Sequence, residues 1–264
     1  MVKARRNKPV FEKKLENSNL YKRKSAPDIP ELSIIIPAYN EERTIGNLIE
    51  KITKTLSQLE KSTEIIVIND GSTDQTQLNA EKSGKRVINL EKNMGKATAL
   101  RTGFRASSGS TILTIDADGS HCMEDLKKLI EEYYQRDVDM LIGSRFINSI
   151  GNQFTSPMKM VGNYIIKYIL FLLSGNFFTD SLSGMRIFDR KIIDSFSLVS
   201  NGFEIESELT AKSIGAGFKV TEFPITIKPR AHGNSHLNSF KDGIRITSCI
   251  IRSYLKGKKL RKEN

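Results

Sequence analysis

The chain has 264 residues, a formal net charge of +11 and 38% hydrophobic residues, which suits one α/β body with terminal extensions and excludes wholesale disorder. Residues 1–30 hold nine Lys/Arg against three Asp/Glu and residues 252–264 hold six against one, so the two ends carry the whole positive surplus. A near-neutral middle argues against a nucleic-acid groove across the fold, and it leaves two uses for the basic ends: meeting anionic lipid headgroups, at about 1 kcal/mol per Lys/Arg near a surface, or keeping the chain soluble.

Residues 1–30 read as a flexible basic arm, charged, aperiodic and punctuated by proline. No apolar core of a signal peptide follows the start, and no run reaches the roughly 18 apolar residues of a membrane span, so a non-spanning protein on the cytosolic side is expected. Folding begins at Leu32-Ser33-Ile34-Ile35-Ile36, a short β-branched run, followed by the loop Pro37-Ala38-Tyr39-Asn40 and by apolar residues at 45, 48, 49, 52, 56 and 59 with helical period. Glu64 to Ile68 reads as a second strand, Asp70 to Thr76 as turn chemistry, and Arg86 to Leu90 as a third strand before a helix near Ala97 to Ala106. Thr111 to Ile115 makes a fourth strand, Glu124 to Tyr134 a helix, and Met140 to Gly143 another strand. This alternation predicts an α/β fold with a mainly parallel sheet flanked by helices. Ligands of such sheets bind beyond the carboxyl ends of the strands. Three polar loops fall there: Asn40-Glu41, Asp70 to Asp74, and Asp116-Ala117-Asp118.

Beyond Arg145 the pattern changes. Met160 to Phe178 is rich in Ile, Leu, Phe and Tyr, too short to span, and reads either as a buried helix or as an amphipathic helix in a membrane interface. Cys122 and Cys249 lie far apart without metal-ligand spacing to His121, His232 or His236, a pattern that fits a reducing compartment.

Asp116 and Asp118 sit at i and i+2 of a strand end and point the same way, so both carboxylates face the crevice, as a divalent cation bound to a diphosphate requires. Spacing alone does not separate such a pair from a solvated acidic loop. Its context does: "IIIPAYNEERTI", "EIIVINDGSTDQT", "NMGKATALRTGF" and "ILTIDADGSH" occur in the order and spacing of the large inverting glycosyltransferase family two, with the GT-A fold, which this chain resembles. The later segments "GSRF", "DSLSGMRIF", "GFEIESELTAKSIGAGFKVTEFPI" and "PRAHGNSH" resemble the branch of dolichyl-phosphate mannose synthases and polyprenyl-phosphate glucosyltransferases. The match covers about Leu32 to Leu237, giving an arm at 1–30, a GT-A domain at 31–237 and a basic C-terminal helix or tail at 238–264.

The resemblance implies that Pro37, Tyr39 and Glu41 line a nucleotide pocket, that Ile68 and Asp70 meet base and ribose, and that Asp116, Ala117 and Asp118 hold Mg2+ or Mn2+ with the donor diphosphate. Asp74 caps the next helix or joins that pocket. Ser120 stands where the mannose synthases often carry a Gln ligand, and His121 beside it is given a structural role. Arg145, Arg230 and the position six after it gather donor and acceptor phosphates; that third position is His236 where Lys is usual, which makes the clamp weaker or pH-dependent. The "DSLSGMR" turn, with Asp180, Ser183, Gly184 and Arg186, shapes the acceptor side, or Arg186 pairs with Asp180 or Glu204 inside the fold.

The implied reaction moves a hexose from UDP-glucose or GDP-mannose to dolichyl or polyprenyl phosphate at the membrane surface, with Asp118, Arg145 and Arg230 as catalytic residues and single inversion at the anomeric carbon. Ser120 and His236 incline the donor toward UDP-glucose. A phosphate acceptor is already anionic and needs no base, whereas a glycan hydroxyl would require one, with Glu204, Glu206 and Glu208 as candidates. Membrane contact is expected to be peripheral or supplied by an anchoring partner subunit. Outside the enzymes, a non-catalytic nucleotide-sugar or nucleic-acid binding module is the alternative, against which the intact D-x-D and the neutral body speak.

Overall fold

Ile34, Ile35 and Ile36 are consecutive, yet all three are fully buried, which requires a strand covered on both faces. The computed structural model describes residues 29–148, 157–228 and 239–263, and these isoleucines form the middle of its first strand, β1 (Leu32–Ala38). There follow α1 (Ile45–Leu56), β2 (Thr63–Asn69), α2 (Thr76–Glu81), β3 (Arg86–Asn89), α3 (Lys96–Ala106), β4 (Thr111–Thr114), α4 (Met123–Gln135) and β5 (Met140–Ser144). The second half adds α5 (Pro157–Ser174), β6 (Arg186–Asp189), α6 (Lys191–Ser195), α7 (Ile205–Ala216), β7 (Val220–Pro224) and α8 (Ser239–Glu263).

Side-chain alternation along the strands sorts the apolar residues onto two faces. Leu32, Ile34 and Ile36 of β1, with Ile65 and Val67 of β2, pack under α1 and α4 against Ile45, Ile49, Leu126 and Ile130. Ile35, Ile66 and Ile68 point the other way, toward Leu100 and Phe104 of α3 and Ile205 and Leu209 of α7. Burying each such side chain contributes about 1.5–3 kcal/mol. Helix α3 lies close because Gly103 lacks a side chain: a Cβ there would sit 2.3 Å from Ile35 Cγ2.

The described strands form one seven-stranded sheet of order β3-β2-β1-β4-β6-β5-β7. β1 runs parallel to β2 and β4, β2 to β3, and β5 to β7, while β6 is antiparallel to both β4 and β5. The expected α/β sheet, mixed and mainly parallel with flanking helices, is present. Chain order reverses at β1, with β2 on one side and β4 on the other, so the loops after β1 and β4 diverge and open a crevice at their carboxyl ends.

The C-terminal segment expected as helix or tail is a helix of 25 residues packed onto the body. α8 crosses α7 at two glycines: a Cβ at Gly257 would meet Lys212 O at 2.3 Å, and one at Gly215 would meet Tyr254 O at 2.3 Å. Ile246 and Ile250 of α8 share a small core with Ala211 of α7 and with Ile166 and Leu170 of α5. The opposite side of α5 is apolar too, with Tyr164, Ile165, Tyr168 and Leu172 exposed. One face of α5 is thus core, as a buried helix requires, and among the described residues the other is an exposed apolar strip. No helix among the described residues is long and apolar enough to cross a membrane.

Candidate active site

The acidic loop after β4 starts in close packing. Thr114 Oγ1 donates to Gly184 O at 2.8 Å, which brings Gly184 so near Asp116 that a Cβ on it would lie 2.3 Å from Asp116 Oδ2. On its other side Asp116 Oδ1 lies 2.6 Å from Lys96 Nζ, and the same ammonium reaches Glu206 Oε1 at 2.6 Å. Burial alone would raise the Asp116 pKa, but Lys96, aided by His121 and Arg145, outweighs it and holds this carboxyl well below the usual range. Lys96 answers in kind: burial opposes its charge, and Asp116 and Glu206 together keep it firmly protonated.

Asp118 is buried and its Oδ1 accepts from Ser120 N–H at 3.0 Å and from Ser120 Oγ–H at 2.7 Å. Gly119 has φ +70°, the left-handed conformation that lets the loop turn back between them. Ser120 therefore orients Asp118 through its hydroxyl, a use that its assignment as a cation ligand did not include. His121 is buried with neither ring nitrogen hydrogen-bonded among the described residues, and burial lowers its pKa toward the neutral imidazole. Its backbone bridges Ile227, Lys228 N–H donates to Ser120 O at 2.8 Å, and Thr226 N–H donates to Asp125 Oδ2 at 2.5 Å. These bonds tie residues 226–228 across the acidic loop. Arg230 and His236 lie outside the described residues.

Loops after β1 and β2 clasp each other. Asn40, in the left-handed region at φ 54°, receives Thr73 N–H on Oδ1 at 2.9 Å and donates its own N–H to Ser72 Oγ. Glu41 N–H donates to Thr76 Oγ1 at 2.7 Å, and Asp74 accepts from Thr76 N–H at 2.9 Å and Glu42 N–H at 3.2 Å, the capping role weighed for it. Pro37 pairs in register with Ile68, Ala117 is nearly buried, and Tyr39 is 39% exposed at the crevice edge. Ile68 is wholly buried beneath α3, so only its backbone is left to meet a nucleotide. Asp70 accepts from Met94 N–H at 2.8 Å and Gly95 N–H at 2.9 Å. It fixes the turn that delivers Lys96, a structural task not expected of it.

Across the crevice Arg145 forms a two-pronged pair with the fully buried Asp180: Nε to Oδ2 at 2.6 Å and Nη2 to Oδ1 at 2.8 Å. Burial opposes the Arg145 charge, but Asp180 dominates and keeps the guanidinium protonated. Glu222 in turn accepts from Thr179 N–H and Asp180 N–H at 2.7–2.8 Å, holding the loop between α5 and β6 that carries Asp180. Arg186 pairs with neither Asp180 nor Glu204 through its side chain. It is buried and donates instead to the carbonyls of Ser181, Ser183 and Glu206 and to Thr210 Oγ1, so backbone oxygens satisfy it and it locks the turn at 181–183 to α7.

The glutamates at the start of α7 and on its N-cap each have a cation: Glu204 with Arg245 at 2.5 Å, Glu206 with Lys96 at 2.6 Å, Glu208 with Lys212 at 2.6 Å. Lys96 was missed as a site residue, and Gly184, expected in a turn that shapes the acceptor side, lies against Asp116. A lysine opening a helix is disfavoured by the helix dipole, and that anomaly was the available signal for Lys96.

Residues 33–196 match the model of Glycosyl transferase family 2. The UDP-N-acetylglucosamine–dolichyl-phosphate N-acetylglucosaminyltransferase of Methanococcus voltae is 30% identical over 79% of this chain and 91% of its own. The low-salt glycan biosynthesis hexosyltransferase Agl6 of Haloferax volcanii is 33% identical over 82% of this chain, which spans about half of it, 52%. The dolichol-phosphate mannosyltransferase of Pyrococcus furiosus is 31% identical over 78% of this chain and 59% of its own. Among solved structures, glucosyl-3-phosphoglycerate synthase from Mycobacterium tuberculosis, in complex with Mn2+, UDP and phosphoglyceric acid, shares the fold: TM-score 0.66, 21% identity, 86% of this chain and 78% of that one covered.

Proposed function

The chain belongs to glycosyl transferase family 2 and is a glycosyltransferase, and from that premise we propose that it moves a hexose from a nucleoside diphosphate sugar to a polyprenyl phosphate, with inversion, at a membrane surface. The ion pairing of Glu204, Glu206 and Glu208 carries this reading. At these distances each carboxylate faces a cation, so the side chains that would deprotonate a glycan hydroxyl are engaged elsewhere. A phosphate acceptor needs no such base. Relatives named for dolichyl-phosphate acceptors support the same choice.

The residues present fit a divalent cation. Asp116 and Asp118, with Ser120 beside them, offer hard oxygen donors, and no group of three His, Cys, Asp or Glu among the described residues forms a cage. Two carboxylates completed by substrate phosphates is the ordinary binding mode of Mg2+, and Mn2+ suits the same ligands. Such an ion, when bound, neutralises the departing diphosphate. Pro37, Tyr39 and Glu41 line the donor side, and Arg145, held rigid by Asp180, meets phosphate charge together with Arg230 and His236. UDP-glucose is the preferred donor on this reading, with GDP-mannose the alternative. The exposed Tyr164, Ile165, Tyr168 and Leu172 of α5 rest on the bilayer interface, where aromatic and aliphatic side chains partition, and this peripheral contact brings the lipid phosphate to the crevice.

Incubation with radiolabelled UDP-glucose or GDP-mannose, polyprenyl phosphate and Mn2+ tests the proposal. Label in the lipid that needs the cation and disappears in Asp118→Ala supports it; donor binding without lipid labelling from either sugar rejects the acceptor.

A further inference from the structure

Lys96 holds a place that a cation would take. Its ammonium bridges Asp116 Oδ1 and Glu206 Oε1, each at 2.6 Å, with only 17% of the side chain exposed. The backbone before it cannot drift: Asp70 grips Met94 N–H and Gly95 N–H, and Gly95 has φ +86°. Gly184 closes the far side of Asp116. The Asp116 carboxylate is thus clamped between an ammonium and a glycine, and a divalent cation approaching Oδ1 meets a positive charge already there.

Glu206 gives Lys96 a second partner. A buried ammonium paired with one carboxylate cannot leave it without becoming an unpaired charge. Lys96 has two partners, so it can release Asp116 and remain on the 3%-exposed Glu206.

We propose that Lys96 is a positioning residue that reserves Asp116: it excludes a free divalent ion from the D-x-D loop and yields the carboxylate when the ion arrives with a nucleoside diphosphate. The diphosphate supplies the negative charge that Lys96 and the metal then share, which makes metal entry conditional on donor entry. This inference rests on the reading of Asp116 and Asp118 as the metal and diphosphate site.

The test is Mn2+ binding to the full chain, followed by electron paramagnetic resonance of the free ion, with and without UDP, in the native protein and in Lys96→Met. The native chain should bind Mn2+ weakly alone and at least about tenfold more tightly with UDP; K96M should bind Mn2+ alone about tenfold more tightly than the native chain. Equal nucleotide-free affinities in the two proteins overturn the inference. No Mn2+ binding by either protein with UDP overturns the site reading itself. Should K96M fail to fold, the 15N-labelled Lys96 Nζ resonance of the native chain decides: it should move with Mg2+ and UDP together and stay with Mg2+ alone, and a shift with Mg2+ alone overturns the proposal.

Discussion

Gly184→Ala places one methyl group against the Asp116 carboxylate and changes nothing else. The added Cβ would lie 2.3 Å from Oδ2 and 2.5 Å from Cγ and Oδ1, where side chains do not approach under 3.0 Å, so the carboxylate must retreat by at least about 0.7 Å. The glycine itself has little room to yield, because its carbonyl accepts from Thr114 Oγ1 at 2.8 Å and its neighbours Ser183 and Met185 are fully buried. A shift of that size, away from Gly184, drives the carboxylate against Lys96, displaces the 2.6 Å contact and misaims the group proposed to hold the metal and donor diphosphate. Misplacement near 1 Å costs about 10²-fold in turnover, while local overpacking costs about 1–3 kcal/mol of stability. Initial rates of sugar transfer and a thermal melt on the same preparation separate the two effects. Gly162→Ala is the control, since its Cβ meets nothing within 4 Å. A folded G184A variant with native turnover would refute the reasoning.

Asp180→Asn keeps the shape but removes the charge from the fully buried partner of Arg145; transfer should fall more than about tenfold and stability by about 3 kcal/mol in denaturant titration, the cost of stranding one member of a buried pair. Glu208 is raised by burial but lowered more strongly by Lys212, Ser200 and Val199, so its folded pKa lies below the ordinary 4.5. A depressed carboxylate contributes stability that is complete above 4.5 and is lost as pH falls through the folded value, so denaturation midpoints should drop steeply in that acid range for the native chain and less steeply for Glu208→Gln. Tyr168→Glu with Leu172→Glu alters only exposed positions, 60% and 64% accessible; co-sedimentation with anionic vesicles should fall several-fold while the melting temperature stays unchanged.

The fold was most legible where periodicity was strong. The run Leu32 to Ile36 and the helical spacing after it gave β1 and α1 because burial on two faces leaves an uninterrupted apolar strand. β6 escaped notice: four residues following a turn carry little period, and Ile187 and Phe188 point to opposite faces. α7 hid its burial. Glu206, Ser207, Glu208, Thr210 and Lys212 are all interior, so no apolar stripe betrays the helix; Glu206 and Thr210 meet Lys96 and Arg186 from distant segments, while Glu208 and Lys212 pair within the helix. The same reason governs the site. Asp116 and Asp118 stood out through the motifs around them, but their environment depends on Lys96, twenty residues earlier at the start of α3, and on Gly184 in a turn. Arg186 looked like an ion-pairing residue and proved to be a buried brace because carbonyl oxygens, invisible to sequence patterns, converge on it.

If the acceptor arrives already anionic, polyprenyl phosphate and the matching polyprenol, offered side by side to the same enzyme, donor and cation, must behave differently. Labelled lipid should form with the phosphate and none above background with the alcohol at neutral pH. Comparable labelling of the alcohol would mean that a base operates in this crevice, and would contradict the phosphate acceptor.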